Sequence, residues 1–396
     1  MARDGLSRGT NQSGVRLYNE RLILSLIRRH GALPKAEIAR LTGLSAQTIS
    51  VIMRQLDADE LVQREQRVRG RIGQPSVPFS LNREGAYSVG VKVGRRSAEL
   101  IVMDFAGTVI GSRRETYPYP TPSSVLGFLE RELKDLRSAL PEKTLQRISG
   151  LGIAIPFELW SWGEEVGAPA GALDAWREFD IRAEIARLCD WPVYVCNDAT
   201  AACAAELVFG IGPEHDDYLY FFVGFFVGGG LVVNGSLVMG KRGNAGAFGS
   251  LPIPASAGGS SHQLIQCASL YLLERQVADT GLDPAQLWQA PDEWHDIGRM
   301  LDDWLEETAR SLAFATVATI SVLDLEAAIV DGDFPPGVRT RLVSLVSERI
   351  KEIDRRGLSE IVIREGSIGS RARAVGGASL PLLADFARDR EVLFKD

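Results

Sequence analysis

Gly43 is the residue that most narrows what this chain can fold into. It stands four positions after Ala39, between two short segments whose apolar residues recur at helical spacing. Two helices joined by a tight turn need a small residue where they cross. They also need a glycine able to take positive φ in the turn, and apolar residues inside the second helix. Ala39, Gly43, Ile49 and Ile52 fill those places, with Ile38 and Leu44 as further core. Upstream, Leu17, Leu22, Ile23, Leu26 and Ile27 predict a helix from Val15 to Arg29, which Gly31 ends. Pro34 suits the start of a short helix running through Ile38 and Leu41, and Ser45 suits the cap of a helix from Ala46 to Leu56. The outward residues of that last helix are Ser45, Gln47, Thr48, Ser50 and Arg54. Short polar side chains with one terminal arginine fit a helix that enters the major groove of DNA.

Two β-like runs follow, Leu61–Gln66 and Ser76–Leu81. Between them lies an arginine-glycine stretch, and Arg67, Arg69 and Arg71 are read as a wing entering a narrow, electronegative minor groove. A merely solvated basic hairpin is the plainer alternative. Charge favours the wing. Residues 1–81 hold 13 Lys and Arg against 7 Asp and Glu, a net of +6. The remaining residues hold 31 basic against 44 acidic, a net of −13, so the whole-chain value of −7 hides a basic head on an acidic body. Residues 1–15, rich in Gly, Ser, Asn and Arg without periodicity, read as a flexible arm. Residues 16–81 read as a winged helix-turn-helix domain.

The 396 residues suffice for two or three domains. No apolar run approaches the roughly 20 residues of a membrane span, and the first residues lack a secretory core. Cys189, Cys196, Cys203 and Cys267 fit neither a disulfide scaffold nor a zinc motif, and Cys196 and Cys203 read as core. A cytoplasmic setting, no membrane partner, no metal and no cofactor are expected. The body alternates strands and helices. Tyr87–Met103, Thr108–Glu115, Ile148–Ile155, Val193–Val195, Tyr218–Val223 and Gly230–Val238 read as strands or hairpin arms. Pro120–Leu140, Asp198–Phe209 and most of Leu264–Leu323 read as helices, and Ala327–Val330 and Glu360–Ile363 as late strands. That order is α/β with two similar lobes.

Five segments give the body a specific resemblance. They are Val89–Gly94, Gly152–Pro156, Cys196–Ala202, Gly228–Gly235 and Gly243–Gly249. With the Asn-Asp-Ala and Gly-Gly-Gly…Asn-Gly pieces in this order, residues 16–396 resemble the ROK group of repressors and sugar kinases. The resemblance implies an actin/hexokinase-like body behind the winged head. Lobe 1 would span 82–210 and lobe 2 would span 211–396, with the C-terminal segment free to return to lobe 1.

Kinases of that group hold ATP phosphate and magnesium with an Asp-x-Gly-Gly-Thr loop. The aligned residues here are Lys92, Val93, Gly94, Arg95 and Arg96. A cation stands in place of the carboxylate that serves the metal. Arg95 and Arg96 are read as solvated, with anion binding as the alternative. The group's second phosphate loop, Gly-Thr-Gly, is here Gly224-Phe225-Phe226, and its late glycine-rich stretch is reduced to Asp331-Gly332-Asp333. No residue is therefore given a catalytic role.

Asn197 and Asp198 match the group's sugar-contacting pair, the Asp being the base in its kinases; a plain helix cap is the alternative reading. Asn244 lies in the segment that faces sugar in the group. Glu158 and Trp160 stand in an aromatic and acidic stretch suited to a carbohydrate's apolar faces and hydroxyls. The expected protein is a repressor that binds double-stranded operator DNA, senses a sugar or polyol, and assembles as a homodimer or homotetramer. The alternative is an active ATP-dependent sugar kinase with a fused DNA-binding head.

Overall fold

The computed structural model describes residues 12–67, 76–254, 261–289, 293–294 and 297–387. Arg69, Arg71 and most of the stretch read as an arm lie outside the described residues. The first helix, α1 (Gln12–His30), starts three residues before its predicted Val15, with an Arg16–Glu20 ion pair one turn apart on its surface. After β1 (Leu33–Pro34), α2 (Lys35–Thr42) ends on Gly43, whose φ of 70° closes the turn with its N–H bonded to Ala39 O at 2.9 Å. The next helix, α3 (Ala46–Ala58), begins at Ser45, whose Oγ accepts from the Thr48 N–H at 3.1 Å. Strands β2 (Val62–Arg64) and β3 (Pro78–Leu81) pair antiparallel and flank the wing stretch, with β1 on the far edge of β3.

The body repeats one sheet pattern twice. In the first sheet, β4 (Tyr87–Val93), β5 (Ser97–Asp104) and β6 (Val109–Thr116) form an antiparallel meander. Helix α4 (Pro122–Ala139) and the single turn α5 (Glu142–Leu145) lead to β7 (Ile148–Ile155), which pairs parallel with β4. Helix α6 (Ile181–Ala186) precedes β8 (Val193–Asn197), parallel to β7. Helix α7 (Asp198–Phe209) then crosses to the second sheet. There β9 (Tyr218–Val223), β10 (Val227–Val233) and β11 (Ser236–Leu237) form the antiparallel part.

A small hairpin, β12 (Pro252–Ile253) with β13 (His262–Gln263), leads into helices α8 (Leu270–Asp279), α9 (Gln286–Gln289) and α10 (Gly298–Leu323). Strand β14 (Ala327–Gly332) lies parallel to β9, and after α11 (Pro336–Glu352), β15 (Val362–Glu365) lies parallel to β14. Both five-stranded sheets thus have their first three strands antiparallel and the next two parallel. Every residue of β9 and β14 is buried, as expected of strands covered on both faces. Among the described residues no helix is long and apolar enough to cross a membrane.

The last helix, α12 (Ala372–Phe386), packs against β4 and β7 of the first sheet and against α7. Its approach is close because small residues line the crossing. A Cβ added to Gly376 would lie 1.8 Å from Ala201 O, and one added to Gly152 would lie 1.9 Å from Gly377 O. Its far end shares a core with the head, where Ile23, Leu24 and Ile27 pack with Ile101, Phe105, Val375, Ala378 and Leu382. Arg21, buried, donates to Ala384 O at 2.8 Å and Arg28, half-buried, to Phe105 O at 2.7 Å, so arginines of α1 satisfy carbonyls of the body.

Gly376→Ala should destabilise the chain by about 2 kcal/mol or more, since backbone rather than a flexible side chain must move. Gly127→Ala in α4, where the added Cβ meets open space, should stabilise by up to about 1 kcal/mol. Urea unfolding of both variants checks this. Equal effects would contradict the packing described.

Candidate functional site

The head presents one face of α3. Ile49, Ile52, Met53 and Leu56 are buried, which leaves Gln47, Val51 and Arg54 exposed and Ser50 half-buried. Ser45 and Thr48 are partly committed elsewhere. Ser45 caps the helix, and its Oγ lies 2.8 Å from Thr48 Oγ1. Arg54 has no ion pair among the described residues, whereas Arg64 and Arg40 are held by Asp57 and Glu37. Val51, 52% exposed between Gln47 and Arg54, was not singled out from the sequence. Its position follows from the helical period, and an exposed branched side chain there suits a thymine methyl group. Arg67 is exposed at the root of the wing.

The body holds a cleft of about 240 Å³ between the two sheets, built at the joint of β8 and α7. Asn197 ends β8 and caps α7, its Oδ1 accepting from the N–H groups of Ala199 and Thr200 at 3.0 and 3.3 Å. The cap reading therefore describes its oxygen, while its amide nitrogen is left for the cleft. Asp198 accepts from the Ala199 N–H with one oxygen and sits 3.5 Å from Arg373 with the other. Burial pushes the Asp198 carboxyl up, opposed by Arg373 and Lys92. Arg373 also binds Asp333 and lies 4.9 Å from the centre of the Phe222 ring. It bridges α7, the end of β14 and the start of α12.

Asn197, Asp198, Asn244 and Glu158 all line this cleft. Trp160 does not. It packs on the first lobe's core under Arg177, 5.5 Å from its ring, because the 3₁₀ turn Leu159–Trp162 carries it away. Trp162 takes its place in the lining, 4.7 Å from Phe226. Arg373 and Trp162 are among the cleft residues that sequence reasoning missed. Trp162 was signalled by the same aromatic stretch, but Arg373 had no local signal. Glu158 adopts a left-handed φ of 52°, a conformation that costs a non-glycine residue roughly 1–3 kcal/mol and is often found at binding sites.

Arg95 and Arg96 are not solvated. Their side chains are 18% and 25% exposed, and both pair with Glu274, at 3.3 and 2.9 Å. Arg95 stacks 3.7 Å from the centre of Phe225, and Arg96 lies 4.5 Å from that of Trp288. A single carboxylate from α8 thus draws both arginines down onto aromatic faces. Phe225 and Phe226 pack on each other and on Tyr271. Lys92 folds over Gly94, facing Arg373, Asp333, Glu99 and Arg114. Burial, and next the Arg373 charge, lower its pKa to about 8. Asp331 is wholly buried, accepting from Gly332, Gly369, Arg339 and Tyr220, so it holds the strand end together.

A winged head on a two-sheet body with an interlobe cleft defines a class: a helix-turn-helix domain joined to a two-lobed domain of the actin/hexokinase type. The comparisons make it particular. The ROK family model matches residues 88–382, and the winged helix-turn-helix DNA-binding model matches residues 16–63. The chain belongs to the ROK family. It is 25% identical over 383 residues to an uncharacterized protein, y4fQ, of Sinorhizobium fredii, covering 93% of this chain and 91% of that one. It is 25% identical over 265 residues to the xylose repressor of Bacillus subtilis, covering 67% of this chain and 68% of that one. Among solved structures, a ROK family transcriptional regulator, homolog of the E. coli MLC protein, aligns with a TM-score of 0.66 at 19% identity, covering 96% and 100% of the two chains. A ROK family glucokinase from Streptomyces griseus aligns with a TM-score of 0.58 at 21% identity, covering 74% and 99%. At these identities the structural likeness speaks for the fold alone.

The Lys92 surroundings set a pH-dependent cost. The folded chain releases the Lys92 proton near pH 8 and the unfolded chain near 10.5. The penalty for burying the charge is therefore full below pH 8 and gone above 10.5. Lys92→Met should raise resistance to urea at pH 7, and that gain should shrink as pH rises from 8 to 10.5. A loss of stability equal at both ends of the range would contradict this.

Proposed function

We infer that the chain is a transcriptional repressor acting in the cytoplasm, reading operator DNA with its winged head and sensing a sugar or polyol in the interlobe cleft. The observation that carries the reading is the exposed face of α3, where Gln47, Val51 and Arg54 stand together without side-chain partners among the described residues, on a basic domain. A similar head stands before the ROK domain in the fold of the Mlc-like regulator, and relatives of 25% identity include xylose repressors. Two copies would place two α3 helices on paired half-sites, so a homodimer or homotetramer on a repeated or palindromic operator is part of the reading.

The cleft communicates with the head through α12 in this account. Arg373, at the first turn of α12, pairs with two carboxylates in or beside the cleft. The last turn of α12 and the residue after it accept from Arg21 of the head. The two ends are about 17 Å apart along a helix of 1.5 Å rise. A ligand whose hydroxyls compete for Asp198 changes the Arg373 pairing and biases the seat of α1. It alters DNA affinity only to the extent that it binds one seating better than the other.

Phosphotransfer has no place in this reading. Lys92 stands where the group's kinases carry a metal-binding carboxylate, and Phe225 and Phe226 stand in a phosphate loop.

Selection of full-length protein against random duplex DNA should enrich a repeated motif. Gln47→Ala should weaken binding to it by about tenfold and relax one base position, consistent with about 1–3 kcal/mol for a bidentate contact. Thermal shifts over a panel of monosaccharides and polyols should single out a stabilising compound; at a hundredfold excess over Kd it adds about 2.7 kcal/mol. Its effect should be lost in Asp198→Asn. An absence of any enriched motif would refute the DNA reading. Release of ADP from ATP with a sugar, abolished in Asp198→Asn, would replace the sensor by a kinase.

A further inference from the structure

Most polar groups of the interlobe cleft are already engaged. Asn197 Oδ1 accepts from the first N–H groups of α7. One Asp198 oxygen accepts from the Ala199 N–H and the other faces Arg373. Arg95 and Arg373, which also line the cleft, are each held by carboxylates. What remains for a ligand is the Asn197 amide nitrogen and the side chains of Asn244, Ser250 and Glu158. These last three make no side-chain hydrogen bond among the described residues. A hydroxyl reaches Asp198 only in competition with Arg373.

Much of the remaining lining is apolar. Phe157, Leu159, Trp162 and Val166 come from the stretch after β7, and Phe225 and Phe226 from the turn between β9 and β10. Trp162 and Phe226 meet with ring centres 4.7 Å apart, although they belong to opposite sides of the cleft. Trp162 packs on the cores of both sheets. Both rings are half-buried. Phe157 is 49% exposed while lining the cleft, so it stands at the rim. Aromatic faces are thus offered at the rim and at the junction of the lobes.

A bare monosaccharide or linear polyol carries a hydroxyl on nearly every carbon. One sugar face can stack on one ring, but the cleft offers more rings than one face uses. Hydroxyls enclosed against the others would lack partners, and each such group costs free energy. A ligand with an apolar end and about two or three hydroxyls at its polar end removes the conflict, because the free donors and acceptors suffice for that number. Mostly apolar linings with a few placed polar groups are the usual make-up of small-molecule sites.

We propose that the ligand of this cleft is a glycoside with an aromatic aglycone. Its sugar hydroxyls meet Asn197, Asp198 and Asn244, and its aglycone lies against Trp162, Phe226 and Phe157. The inference rests on the sensor reading of the cleft and narrows it from sugars and polyols in general to one amphipathic class. An aglycone seated on Trp162 and Phe226 together touches both sides of the cleft, so it favours one lobe spacing over others, as a ligand that shifts an equilibrium must.

Titration calorimetry of the full chain with matched probes tests this: the p-nitrophenyl and methyl glycosides of glucose, galactose, xylose and mannose. For at least one sugar the aryl member should bind about tenfold or more tightly than its methyl partner. p-Nitrophenol alone should bind at least about tenfold more weakly than that aryl glycoside. Phe226→Leu keeps an apolar side chain without the ring, and Phe157→Ala changes an exposed position of little consequence for stability. Each should shrink the aryl preference several-fold. Equal affinity within every pair would overturn the aglycone site and leave a sugar sensor standing. Binding of no probe would overturn both. p-Nitrophenol binding as tightly as its glycosides, or an aryl preference unaltered in both variants, would also overturn the proposal.

Discussion

The backbone contact of α12 with α7 and the first sheet is the constraint on which the rest of the molecule depends. Gly376 lies against Ala201 O, and Gly377 lies against Gly152, at distances that leave no room for a Cβ. Interiors packed this closely do not deform continuously, so the middle of α12 is fixed against α7 and the first sheet. One end of the helix carries Arg373 into the cleft. The other carries the carbonyls that Arg21 of the head satisfies. The cleft and the head are thus attached to opposite ends of one helix.

The electrostatics follow the same frame. Arg373 is 12% exposed and compensated by two carboxylates, Asp198 and Asp333, from different parts of the chain. Removing one partner of such a group leaves a buried charge uncompensated, so a ligand that competed for Asp198 would have leverage. Arg95 and Arg96 share one carboxylate and lean on aromatic rings, a cheaper arrangement for half-buried guanidinium groups than solvent-free isolation. The Lys92 ammonium makes no hydrogen bond or ion pair among the described residues and feels Asp333 and Glu99 only at longer range. The raised cost of the folded state below pH 8 is the consequence of burying that one ammonium group.

What was legible in the sequence was what local chemistry decides. Gly43 takes the left-handed turn, Ser45 caps α3, and β7, β9 and α7 have the ends that their apolar runs and caps predict. Asn197, Asp198 and Asn244 stand out through a motif resemblance and Glu158 through its aromatic and acidic stretch, and they share one cleft. What was not legible depends on contacts distant in sequence. Arg373 meets Asp198 only because α12 returns to the first sheet. Glu274 reaches Arg95 and Arg96 from α8, which turns two residues read as solvated into a stacked pair. The choice between Trp160 and Trp162 depended on the direction of a single 3₁₀ turn, which aromatic composition does not encode.

The central claim is that cleft and head are linked mechanically through α12. Hydrogen exchange on the full-length protein, comparing the parent with Arg373→Met, tests this most directly, since it needs no ligand. Loss of protection is expected at both ends of α12 and in the stretch of α1 around Arg21 and Arg28, with α4 unchanged. Loss confined to the first turn of α12, with α1 as protected as in the parent, would contradict it.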